Sequence, residues 1–120
     1  MIRHAIAAAL LLSPVAAMAQ APTISLEHRM LLRCSAAFAM VSHGQDLGNA
    51  DALQYPREPE AYREFFVRAS ARVMDEAGLD RDGISAVLQA EAQKLWDEGT
   101  LNQVMPVCLD LLSRSAVPAG

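Results

Sequence analysis

Residues Pro59 to Gln103 read PEAYREFFVRASARVMDEAGLDRDGISAVLQAEAQKLWDEGTLNQ, and this stretch decides the fold. A proline opens it where a first helical turn has no use for an amide proton, and Glu58, Glu60 and Glu64 sit at the positive end of the resulting dipole. Tyr62, Phe65/Phe66, Ala69 and Val73 then recur every three or four residues, the period of one helical face. Glu60/Arg63, Glu64/Arg68 and Arg72/Glu76 pair opposite charges on the other side, as a solvated helix surface does. Gly78 closes this helix. Asp80 caps the next, which carries Ile84, Val87/Leu88, Glu91 or Ala92, Leu95 and Trp96 along one side and Lys94/Glu98 along another. Gly99 ends that helix, and Thr100 to Gln103 has the hydroxyl-then-amide spacing of a capping box, so a further helix follows with almost no linker.

Downstream, Pro106 removes a backbone donor and crowds the preceding turn. The sequence therefore predicts a short turn through about Val104 and a kinked or restarted helix from Met105 to Ser113, with Val104, Cys108, Leu111 and Leu112 facing inward. Upstream, Thr23 or Ser25 caps a helix running to about Ser42, with Leu26, Met30, Cys34, Ala37/Phe38 and Val41 as its apolar positions. Gly44 stands where a left-handed C-terminal residue is wanted, while Gly48, Asn49 and Asp51 keep the stretch 44–58 a loop. No window alternates with a period of two. The expectation is an all-α fold, a small antiparallel bundle of about four helices, in one domain spanning 20–120 with frayed ends at about 20–24 and 114–120.

The first nineteen residues carry the three parts of a secretory signal in order: Arg3 and His4, the apolar run Ala5 to Leu12, and small side chains at Ala17 and Ala19. Cleavage is expected between Ala19 and Gln20, because a cut after Ala21 would place Pro22 directly past it. The apolar segment is interrupted by Pro14 and falls short of the ~20 residues that cross a bilayer, so no membrane span is expected after cleavage. A periplasmic destination, or full secretion, follows. Both compartments are oxidising, and with two cysteines in the chain the expected intramolecular bond joins Cys34 to Cys108, tying the first helix to the last. There is no C-x-x-C spacing to tune a redox thiolate.

The chain has 120 residues and a formal charge of -4. That length holds one domain, and the acid excess argues against a nucleic-acid partner, which needs clustered Lys and Arg. Asp80-Arg81-Asp82-Gly83 has part of the character of a calcium loop, but in one register both ends fail and in the other Ile84 and Ser85 replace a ligand and the glycine. Helix capping by Asp80 explains these residues more simply. His28 and His43 lie fifteen residues apart near opposite ends of one helix and cannot share a metal as i,i+4 ligands do. His28 reads as a solvated position and His43 as a partner of the helix C-terminal dipole. No H-E-x-x-H, G-x-S-x-G or phosphate-cradling glycine loop occurs, so no catalytic, cofactor or metal residues are assigned. Glu91 is a polar oddity on an apolar stripe. Buried, it would need Arg33 or Arg72; a small rotation of the helix exposes it instead, and exposure is the favoured reading.

The string FFVRASARVMDEAGLDRDGISAVLQAEAQKLWDEGTLNQVMPVCLDLL, with RCSAAFAMV upstream, resembles small exported proteins of unknown function from alphaproteobacteria, sphingomonads in particular. The resemblance spans Arg33 to Leu112 and implies export and the Cys34/Cys108 pair, without a reaction. In outline the chain is also similar to acid-stress chaperones and to immunity proteins that neutralise cell-wall amidase effectors, with no diagnostic motif of either. The expected function is a non-enzymatic periplasmic binding or accessory role, through a helical surface or the segment Gln45 to Pro56. The alternative is a periplasmic chaperone that opens at low pH, or an immunity-type inhibitor; an enzyme, the least favoured reading, would need a concave site where His43 or Glu91 meets other polar side chains. Partner identity and oligomeric state are not written in the sequence.

Overall fold

Ser25 starts the first helix by accepting a hydrogen bond from the His28 amide at 3.0 Å, as an N-cap serine should. In the computed structural model, which describes residues 24–115, this helix is α1 (Leu26–Asp46), followed by α2 (Ala50–Leu53), α3 (Pro59–Ala77), α4 (Arg81–Glu98) and α5 (Leu101–Ser115). The described residues are all helical or connecting, and the expected signal segment with its Ala19/Gln20 cleavage point lies outside them. Gly78 and Gly99 end α3 and α4, and Asp80 Oδ1 caps α4 by accepting from the Gly83 amide at 2.7 Å.

The centre of the bundle is α1, which packs against each of the other four helices. Five successive residues, Cys34 to Phe38, are buried, because neighbours surround this part of α1 on every side. The hydroxyl of Ser35 is satisfied inside that core by donating to the Leu31 carbonyl, 2.8 Å away. At the first turn of α1 only one side is covered: Leu26 is 82% exposed and Met30 partly so, contrary to their expected inward placement. Phe38 stacks on Tyr62 at 4.8 Å between ring centroids and meets Phe65 edge-on at 5.2 Å, which sets α3 antiparallel to α1. A second, smaller core of Leu32, Val73 and Ile84 closes the opposite end of the same three helices.

The bond between Cys34 and Cys108 is present, with Cα atoms 5.2 Å apart and a sequence separation of 74. It joins the first helix to the last and places α5 antiparallel to α1. Helix α5 is continuous from Leu101 to Ser115 with Pro106 inside it, so the helix does not restart at Met105. The carbonyl that Pro106 cannot serve belongs to Asn102, and both residues lie on the exposed side of the helix, where a carbonyl does not depend on a backbone donor. Met105 and Cys108 are fully buried on the other side and hold the helix down.

The segment expected as a loop is also more ordered. Helix α1 continues past Ser42 to Asp46, and it is Gly48, with φ 73°, that takes the left-handed conformation expected of Gly44. Gly44 is helical and pressed against α2; a Cβ there would lie 2.7 Å from Ala52 Cβ. The buried Gln45 amide nitrogen lies 3.1, 3.1 and 3.2 Å from the carbonyl oxygens of Ala52, Tyr55 and Pro56, pinning the connection to α1.

Candidate functional site: two clefts and a buried ion pair

The charged ridge of α3 holds the N-terminal turn of α1. Arg72 reaches Glu76 at 2.5 Å on its own helix and Glu27 at 2.7 Å on α1. The hydrogen bond from Arg72, then that from His28, holds the Glu76 carboxyl below its ordinary range. His28 is not the solvated residue expected. Its side chain is 12% exposed, Nε2 lies 3.2 Å from Glu76 Oε2, and Nδ1 is buried without a partner. His43 is exposed in the last turn of α1, so the two histidines stay at opposite ends of one helix. Among the described residues no group of three or more His, Cys, Asp or Glu is placed to hold a metal ion.

Glu91 overturns the reading that favoured exposure. It is 8% exposed on the face of α4 against α1, where Arg33 Nε donates to Oε2 at 3.1 Å. The helix does not rotate to free it because Ile84 and Leu95, two turns before it and one turn after it, are both buried on the same stripe. Trp96, expected beside them, is instead 75% exposed: one residue past Leu95, it lies 100° around the helix.

Two clefts flank α1. The larger, about 490 Å³, lies between α3 and α5 with Leu31 beneath it. Its α3 wall is the row Ala61, Phe65 and Ala69, spaced by four, and its α5 wall carries Leu112 and Ser115. The small alanines on either side of Phe65 are what leave the slot open. The adjacent α3 row, Glu64, Arg68 and Arg72, forms the rim; Arg68 lies 2.9 Å from Glu64, so these charges are largely paired. The second cleft, about 420 Å³, runs between α1 and α4 and is lined by Ile24, Arg29, Ala86, Val87, Ala90, Glu91 and Lys94.

The sequence pointed to neither cleft, since each arises where two helices diverge, and helix divergence is a tertiary property. The one local signal was the row of alanines. The segment around Tyr55 adds a further contact between elements: its hydroxyl donates to Asn102 on α5, and burial, then the charge of Asp51, pushes its pKa up. Tyr62 donates to the Pro56 carbonyl at 2.5 Å, and burial followed by the charge of Glu58 raises its pKa as well.

The chain matches no protein-family model, no curated protein and no solved structure. The candidate site therefore rests on its own geometry.

Proposed function

We propose that this chain is an exported, non-enzymatic periplasmic protein that binds a protein partner, taking the apolar face of a partner's amphipathic helix into the cleft between α3 and α5. The cleft itself carries the reading. It offers an apolar wall just over two turns long, Ala61 to Ala69, with holes at the two alanines, an apolar floor at Leu31 and a facing wall at Leu112. Side chains recurring at i, i+3 and i+4 fit such holes, and the mixed-charge ridge of Glu64, Arg68 and Arg72 suits the charged flank of the same helix.

A binding role also accords with the chemistry of the rim. Arg68 and Arg72 are held by carboxylates, and the Ser115 hydroxyl donates to the Leu111 carbonyl, so these polar groups of the described lining are engaged with the protein itself. Export is supported by the buried disulfide, which forms and persists in oxidising compartments, and by the signal-like character of residues 1–19. No helix among the described residues is long and apolar enough to cross a membrane.

Site-specific photo-crosslinking in intact cells tests this. A benzophenone side chain at Leu112 should trap one partner through a helical segment, and Ala61→Trp, which fills the slot from a half-buried position, should abolish the product. Crosslinks of equal yield from Ser85, on the exposed side of α4, would overturn the assignment.

A further inference from the structure

The second cleft carries a separate inference, from charge. Among the described cations, Arg33, Arg57, Arg68, Arg72 and Arg114 each sit in an ion pair, whereas Arg29, Arg63, Arg81 and Lys94 do not. Arg29 and Lys94, which stand over the α1/α4 cleft from its two walls, form no ion pair among the described residues. The acid between them, Glu91, does not cancel their charge, because Arg33 already holds it. A chain of formal charge -4 thus keeps two unneutralised cations over one trough. The trough is apolar below them: Ala86 and Ala90, four residues apart, leave it open, and Val87 and Ile24 form its sides. Its volume of about 420 Å³ falls within the range of small-ligand sites.

We infer that the α1/α4 cleft binds a single-chain amphiphile with an anionic head group, the head held between Arg29 and Lys94 and the chain lying along Ala90, Val87 and Ala86. A guanidinium accepts carboxylate and phosphate in the same two-pronged geometry, and an ammonium adds a point charge from the facing wall. The head is therefore either a fatty-acid carboxylate or a lipid phosphate. The apolar trough separates both from a free anion, which has nothing to lay there.

Titration of the signal-cleaved, disulfide-bonded protein with decanoate and with decyl phosphate, each below its aggregation concentration, tests this by amide NMR shifts. Saturable shifts at Arg29 and from Ala86 to Lys94 are expected, and the tighter of the two probes identifies the head group. Decyl maltoside, with the same tail and no charge, should bind at least tenfold more weakly. Arg29→Gln/Lys94→Gln should weaken binding at least tenfold; both side chains are exposed, so an unchanged thermal unfolding curve is expected. Ala90→Leu, which fills the trough and keeps the charges, should do the same. Inorganic phosphate shifting these amides as effectively as decyl phosphate would overturn the proposal, as would shifts confined to Ala61, Phe65 and Leu112 or affinity unmoved by the double variant.

Discussion

At the residue scale, Arg33 and Glu91 join α1 to α4 within the side of the core, and removing one partner leaves the other charge without its counterpart. Glu91→Ala is expected to destabilise the protein by about 1–3 kcal/mol, while Arg33→Met/Glu91→Leu together should cost less than Glu91→Ala alone. Urea unfolding of the two variants and the wild type checks this. Gln45→Ala is expected to cost about 1–3 kcal/mol by the same measurement, since the side chain serves three carbonyls of a connection with little apolar packing. The pH dependence belongs to Glu76. Its folded pKa lies below the ordinary value, so its contribution is fully present above the unfolded carboxylate pKa of ~4.3 and is lost as pH falls through the lower folded value. Glu76→Gln should therefore lose less stability than the wild type between pH 6 and pH 3; an identical loss would deny the network its role. Gln45 was not legible in this role, and Glu76 was legible only in its pairing with Arg72, not in its contact with His28. Glu91 was recognised as anomalous and paired with Arg33 as one option, but burial depends on a neighbouring helix whose angle no local pattern records.

At the element scale, α3 was the most legible. Tyr62, Phe65, Ala69 and Val73 are its buried residues, as the three-four spacing indicates, because a helix packed along one side shows its environment as a stripe. The reading of α1 suffers from the opposite geometry: a helix surrounded at its middle and covered on one side at its start has no single stripe, so Leu26 and Met30 were placed inward and Leu32 and Ala36 were missed. Helix α5 does not restart after Pro106 for a tertiary reason, the covalent and apolar anchoring of Met105 and Cys108 on the side opposite the proline. Pro106→Ala restores the donor to Asn102 and is expected to stabilise the protein by about 1 kcal/mol, less than a mid-helix proline costs, because the proline also restricts the unfolded chain. Gly44→Ala should destabilise by about 1–3 kcal/mol, through the 2.7 Å approach to Ala52 Cβ. Thermal unfolding of both variants reads these opposite signs.

For the whole molecule, α5 is the element most dependent on a covalent tie. It packs mainly on α1, leaves the α3/α5 cleft open, and is fixed to the centre of the bundle by Cys34–Cys108. Closing so long a loop restricts the unfolded chain by about 4 kcal/mol, against a total stability of ~5–10 kcal/mol for a domain of this size. The pairing was legible because two cysteines allow a single connectivity, whereas the cleft that the bond preserves was not. Thiol mapping by mass spectrometry on protein isolated natively from the cells that make it, with exchange blocked at lysis, tests the account most directly. One crosslinked pair of Cys34 and Cys108 peptides and no free thiol is the expected result; two alkylated cysteines in correctly folded protein would contradict it.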